Sequence, residues 1–335
     1  MATSGPMSTT AGSGSPRPLL VIVGPTAVGK TALSLYLAEH LSGEIVSADS
    51  RLFYRGMDIG TAKPTPEERA RIPHHLIDIA DPDETVGLAM FLRLARAAIA
   101  DIHARGRLPV AVGGTGQYVR ALVEGWTPPA VPPDPALRAE LEEQARREGP
   151  QTLYSRLVAL DPDAAARIDP RNVRRVVRAL EVALRAGSAE RGRTPPPYAI
   201  LQIGLTMDRA ALYARADARL EEMVRAGLVE EIRGLLEKGY GWDLPAMSAL
   251  GYIQFRPYFE GRATLEEVLA QIRRDTRRFI RHQYNWFRLS DPRICWFDGA
   301  RTSPEEILAS VQDWLGEGGL SIPYASTQTV PLRGR

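Results

Sequence analysis

The first hundred residues alternate short apolar runs with longer stretches of helical periodicity. Residues 19–23 form a β-branched run that stops at Gly24, and apolar positions recur at helical spacing over 32–41, which predicts strand, loop and helix. A second strand is expected over 44–48, ending at Asp49. A helical pattern over 89–105 leads into a buried-strand pattern at 108–112, which stops at Gly113-Gly114-Thr115-Gly116. Such alternation predicts an α/β fold, a mostly parallel sheet covered by helices that receives ligands at the carboxyl ends of its strands.

Two proline clusters then change the pattern. Thr127-Pro128-Pro129 through Pro135 and Thr194-Pro195-Pro196-Pro197 bracket a region that reads helical almost throughout. Beyond it come a strand pattern over 200–206 and helical patterns from 210 to about 293. The expected architecture is a core of 18–127 and 199–315 interrupted by a helical insert, 128–198, on proline-stiffened hinges. The Ser/Thr/Gly/Pro-rich 1–17 and the aperiodic 316–335 are expected to be disordered tails, and 1–17 lacks the apolar segment of a secretory signal.

Composition narrows the class. The 335 residues are 44% hydrophobic and 24% charged, a globular balance, and no apolar run is long enough to span a bilayer. A single cysteine, Cys295, excludes an intrachain disulfide and a multi-cysteine zinc site, and fits the cytoplasm. The net charge of +2 is too small to indicate a partner, so only local arginine clustering bears on nucleic acid.

Gly24-Pro25-Thr26-Ala27-Val28-Gly29-Lys30-Thr31 matches G-x-x-x-x-G-K-[ST] between a predicted strand and a predicted helix. Its amides and Lys30 suit phosphate oxygens, and the Thr31 hydroxyl suits Mg²⁺, although the loop alone does not distinguish ATP, GTP and a small diphosphate. Asp49, at the end of the next strand, fits either a Mg²⁺ ligand or a general base beside the phosphates. The glycines of 113–116 end a third strand at the same edge, with Thr115 offering a hydroxyl; alone they also fit a structural turn.

Arginines cluster twice. Over 169–184, Arg171, Arg174, Arg175 and Arg178 fall at helical spacing opposite Val173, Val176, Val177 and Leu180. Over 271–290, six arginines stand against one acid, Asp275, interleaved with Tyr284, Trp286 and Phe287, a pattern that suits a phosphate backbone beside an unstacked base. His74-His75 has no further ligand set spaced to join it, so a structural role or a substrate hydrogen bond is preferred over metal binding.

Together these motifs resemble the tRNA dimethylallyltransferase (tRNA isopentenyltransferase) family. The matching stretches are GPTAVGKT, SADSRLFYRGMDIGTAKP, HHLID, VGGTGQYVRAL, RRVVRALEV, LGYIQ and TRRFIRHQYNWFR, in the family's order from about Leu19 to Phe297. The resemblance implies a P-loop NTPase-like core and transfer of a dimethylallyl group from its diphosphate to N6 of the adenosine adjoining the tRNA anticodon, position 37, after that base is flipped out. By this resemblance Gly24, Pro25, Thr26, Ala27, Val28, Gly29, Lys30 and Thr31 grip the diphosphate, aided by Arg215 and Arg219, with Mg²⁺ on Thr31. Asp49 becomes the base, with Lys30 and Thr115 as further catalytic residues. Asp49, Ser50, Arg51, Leu52 and Thr115 surround the adenine. Arg138, Arg174, Arg175, Arg178, Arg281, His282, Gln283, Trp286 and Arg288 contact the anticodon stem-loop, which the insert clamps.

Leu52, Gln117, Ile253 and His282 depart from the family pattern, which bears on tRNA specificity more than on diphosphate chemistry. The resemblance also implies a cytoplasmic monomer with no membrane partner. Rival readings are an adenylate isopentenyltransferase acting on free nucleotide, a P-loop kinase or NTPase, and a noncatalytic RNA-binding protein. The arginine clusters weigh against the first, and the intact Lys30, Thr31 and Asp49 against the last.

Overall fold

Arg17–Val23 (β1) buries its last five side chains completely, as a strand covered on both faces must. In the computed structural model, which describes residues 16–129, 131–186 and 192–318, β1 lies in the middle of a six-stranded sheet. The other strands are Gly43–Ser47 (β2), His74–His75 (β3), Leu108–Val112 (β4), Tyr198–Thr206 (β7) and Ile294–Asp298 (β8), in the order β3-β2-β4-β1-β7-β8. Every pairing is parallel, with Leu20 opposite both Val110 and Leu201. All strands therefore point the same way, and the loops after β1, β2 and β4, three strands adjacent in the sheet, leave from one edge.

The first helices are Lys30–His40 (α1), Pro66–Arg71 (α2), Leu88–Ala104 (α3) and Gly116–Val123 (α4). α1 begins at Gly29, whose φ of 105° lies in the left-handed region, so the loop turns sharply into the helix. Thr65 and Glu68 close α2 with a capping box.

The second compact unit is Glu124–Pro195, set against the expected 128–198. It holds Trp126–Thr127 (β5), Pro135–Glu148 (α5), Pro150–Leu160 (α6), Pro162–Ala165 (α7), Val173–Ala186 (α8) and Gly192–Arg193 (β6). β5 and β6 pair antiparallel, Trp126 against Arg193, so the unit starts ahead of the proline cluster. Its core is its own: Leu141, Leu153, Leu157, Val176, Val177 and Leu180 are buried together. α8 starts at Val173, later than the helix expected from 169; Arg171 lies ahead of it, bound to Asp169.

The remaining helices return to the first unit: Arg209–Arg225 (α9), Leu228–Glu237 (α10), Arg256–Phe259 (α11), Leu265–Trp286 (α12) and Pro304–Gly316 (α13). Gly227, at φ 101°, separates α9 from α10. Leu35, Leu37, Leu212, Ile280, Val311 and Trp314 join Leu20, Ile22, Val110 and Ile203 in one core.

Two elements differ from the sequence expectation. The helical pattern read to about 293 stops at Trp286, because Phe287 leaves helical geometry and is buried, and Asp291 and Pro292 then turn the chain into β8. β3 is two residues long, too short for any periodicity to register. The expected tails, apart from 16–17 and 316–318, lie outside the described residues.

Candidate active site

The phosphate loop is built so that only certain residues fit. Gly24 has φ 145°, and a Cβ there would stand 2.5 Å from the Leu205 carbonyl oxygen. Val28 is buried in the core beneath the loop. Lys30 Nζ donates to the Pro25 carbonyl at 2.8 Å, curling over the loop it belongs to. Although Lys30 keeps some surface access, the protein around its ammonium lowers its pKa to about 8; Asp49 pulls in the other direction and Arg219 adds to the lowering. Thr31, the second residue of α1, is exposed at the rim of a small cleft lined by Ile45, Leu52, Pro64, Ile77 and Val112.

The loop after β2 brings Asp49 to the same edge. Its carboxylate accepts from the Arg51 N–H at 3.0 Å, and its own N–H donates to Ser47 Oγ at 3.3 Å. Ser50 N–H donates to Thr115 Oγ1 at 3.1 Å, joining this loop to the glycine loop after β4. That loop has no spare space: a Cβ at Gly113 would lie 2.3 Å from the Ala48 carbonyl oxygen. From α9, the Arg219 pKa is lowered by burial against the pull of Asp49, and an Arg215 Nη2 lies 3.9 Å from where a Cβ of Gly29 would stand. The structure thus brings Lys30, Asp49, Thr115, Arg215 and Arg219 around the sheet edge.

Other expected site residues are held differently. Arg51 donates to the Pro245 carbonyl at 3.0 Å and reaches Ser248 Oγ at 3.5 Å. Arg138 and Arg178 both grip Glu181, whose side chain is 0% exposed; the Arg138 bonds are 3.0 and 2.8 Å, and the Asp134 N–H adds a third donor at 2.6 Å. Arg174 and Arg175 are exposed. On α12, Arg281 and His282 are exposed, as is Arg288 just beyond its end, whereas Gln283 is 3% exposed and Trp286 packs against Gly116.

Two of the three aromatic residues grouped with these arginines, Tyr284 and Phe287, turn inward. Tyr284 packs on the core and bonds Thr206 Oγ1 at 2.9 Å, and Phe287 is buried, so neither ring is presented for base stacking. The cationic face is also partly spent internally: Arg273 pairs with Glu221, and Arg277 with Asp217, both on α9.

A further network, to which the sequence gives no pointer, holds the segment from Asp58 to Gly60. Glu231, on α10, accepts from the N–H groups of Asp58, Ile59 and Gly60 at 2.8, 2.7 and 3.2 Å. Tyr252 donates its hydroxyl to the same carboxylate at 2.6 Å, and burial holds that phenol pKa far above its ordinary value. Lys63 donates to Asp58, to Asp78 at 2.6 Å and to the Tyr54 carbonyl at 2.8 Å. The histidine pair is structural in its contacts: His74 Nδ1 meets the Ile72 carbonyl, and His75 Nε2 meets the buried Glu44, each at 2.7 Å. Among the described residues no cluster of three or more His, Cys, Asp or Glu could hold a metal by itself. No described helix is long and apolar enough to cross a membrane.

Fold and site together define an α/β enzyme with a P-loop-like core, carrying a lysine, an acid and two arginines at one sheet edge. The family model described as IPP transferase matches residues 52–290. The tRNA dimethylallyltransferase of Roseiflexus castenholzii is 62% identical over 274 residues, 81% of this chain and 90% of that protein. That of Thermomicrobium roseum is 54% identical over 84% of this chain and 86% of its own. Among solved structures, the full-length tRNA isopentenylpyrophosphate transferase of Bacillus halodurans superposes with a TM-score of 0.67 at 42% identity, covering 90% of this chain and 97% of that one. A eukaryotic dimethylallyltransferase acting on tRNA gives 0.72 at 25% identity, over 90% and 80%. The chain belongs to the IPP transferase family, and it is a transferase.

Proposed function

We propose that this enzyme transfers a dimethylallyl group from dimethylallyl diphosphate to N6 of the adenosine beside the tRNA anticodon, position 37. The observation that carries the reading is the meeting of Lys30 and Asp49 at the edge shared by the P-loop and the Thr115 loop, in a chain of this family. The phosphate-loop N–H groups nearest α1, with Lys30, Arg215 and Arg219, bind the diphosphate. N6 attacks the allylic carbon, the carbon–oxygen bond to diphosphate breaks, and the electron pair leaves with the diphosphate. The proton released from N6 passes to Asp49. Thr115 orients the loop that carries Asp49 through its bond to Ser50 N–H.

Mg²⁺ fits this site in one way: with no carboxylate cage among the described residues, it would arrive on the diphosphate and take Thr31 Oγ1 as a protein ligand. When bound it supplies charge neutralisation to the leaving group. Arg174, Arg175, Arg281, His282 and Arg288, all exposed, supply the RNA contacts. The enzyme acts as a cytoplasmic monomer.

The test is incubation of purified protein with dimethylallyl diphosphate, Mg²⁺ and unmodified tRNA, with nucleoside masses read after digestion and Asp49→Ala alongside. A gain of one dimethylallyl group that the variant fails to produce supports the reaction and the base. Prenylated AMP with unmodified tRNA would assign the enzyme to free nucleotides instead.

A further inference from the structure

The residue that joins the two halves of the site belongs to neither loop. Gln283, projecting inward from α12, accepts the Thr26 N–H in its Oε1 at 2.9 Å and donates its Nε2 to the Gly114 carbonyl at 3.1 Å. One partner is a donor and the other an acceptor, and a neutral amide, with an acceptor oxygen and a donor nitrogen, satisfies both at once. The side chain is 3% exposed, and a Cβ at Gly114 would stand 2.5 Å from Nε2 and 3.8 Å from Lys30 Nζ. The amide therefore sits between the diphosphate cradle and the glycine loop, with the catalytic lysine against the same wall. One turn further, Trp286 packs on Gly116, and between them Tyr284 anchors the helix to Thr206 at the end of β7.

We propose that Gln283 is a positioning residue for the transfer reaction: it sets the spacing between the P-loop and the Gly113–Gly116 loop, and so between the bound diphosphate and the Asp49–Ser50–Thr115 loops that face the acceptor. This rests on the prenyl-transfer reading above, and it replaces the tRNA contact that the family resemblance implies for Gln283. The Thr26 N–H is already committed to Gln283, so the loop amides left for phosphate are those nearer α1. Losing the clamp frees the loop to move away from the acceptor while the cationic outer face of α12 stays in place.

The test compares wild type, Gln283→Leu and Gln283→Glu as full-length protein, by calorimetric binding of dimethylallyl diphosphate with Mg²⁺, tRNA affinity, and kcat and KM. Gln283→Leu leaves a buried donor and a buried acceptor unpaired, and diphosphate affinity is expected to fall about ten- to a hundredfold, with kcat lowered and tRNA affinity within about twofold. Gln283→Glu keeps the acceptor for Thr26 but turns a carboxylate toward the Gly114 carbonyl. Its defect, taken as a ratio to wild type at each pH, is expected to shrink as pH falls from about 8 to about 6, because the protonated acid regains a donor. Wild-type diphosphate binding and turnover in both variants would overturn the proposal. So would loss of tRNA affinity with diphosphate binding intact, since Gln283 would then be an RNA contact. If Gln283→Leu does not fold, the pH-dependent ratio of Gln283→Glu decides. If wild type binds the diphosphate without prenylating tRNA, the function reading fails, while the binding comparison still judges the clamp.

Discussion

Thr115 Oγ1 accepts the N–H of Ser50 at 3.1 Å across two loops that leave neighbouring strands, so the backbone beside Asp49 is held by a side chain 65 residues away. Thr115→Val preserves shape and removes that acceptor. The expected outcome is a fall in kcat of about ten- to a hundredfold, with the melting temperature lowered by only a few degrees, about 1 kcal/mol. Thr115→Ser restores the hydroxyl and should recover most of the rate, as steady-state kinetics on the three proteins would show.

Lys30 gives the reaction an alkaline limit. Its pKa in the free enzyme is lowered to about 8, so the charged form that grips diphosphate is lost as pH rises through that value. For a depressed lysine the sign is unambiguous: kcat/KM for the diphosphate should be highest below about pH 8 and fall above it. In kcat the limb should move to higher pH, because bound diphosphate stabilises the ammonium. A flat kcat/KM profile from pH 7 to about 10 would remove Lys30 from diphosphate capture.

Glu231 receives three backbone N–H groups and the Tyr252 hydroxyl. Glu231→Ala leaves those donors without their acceptor, which should cost about 2–3 kcal/mol and raise amide exchange at 58–60 before it appears elsewhere. Hydrogen exchange read by mass spectrometry locates the effect. Tyr252→Phe removes one donor and should cost about 1 kcal/mol.

Within Glu124–Pro195, Glu181 holds Arg138, Arg178 and the Asp134 N–H. Glu181→Leu strips a buried carboxylate from two guanidinium groups that retain some water contact, so the expected loss is about 2–4 kcal/mol. It should appear in denaturant melts together with weakened tRNA binding, while diphosphate affinity is unchanged.

Much of the site was legible because it is local. The phosphate loop is eight consecutive residues in which Gly24 has no room for a Cβ and Gly29 turns at positive φ, and a parallel sheet carries Asp49 and Thr115 to its edge once their strands are recognised. What was not legible joins distant segments: Gln283 and Thr26 are 257 residues apart, and Glu231 and Gly60 171. Nothing in the immediate sequence of either acceptor names its partner. The aromatic residues of α12 are a different case. Ile280, Tyr284 and Phe287 recur at i, i+4 and i+7, the spacing of a core-facing stripe, and the adjacent arginines obscured it. Arg273 and Arg277 likewise face Glu221 and Asp217, an acidic pair four residues apart whose match across two helices only the fold reveals.

The strand order also constrains biosynthesis. β1 pairs along its whole length with β7, Arg17 opposite Tyr198, and β7 is made only after the helical unit Glu124–Pro195. A ribosome-bound chain ending before Tyr198 carries the complete phosphate motif on a strand with one side unpaired, an edge open to wrong partners. The helical unit, with contacts close in sequence, can fold as it emerges, whereas the sheet of the other unit must wait for β7 and β8, made after the helical unit. The phosphate loop is made before the helical unit and reaches its working shape only once β7 has followed that unit.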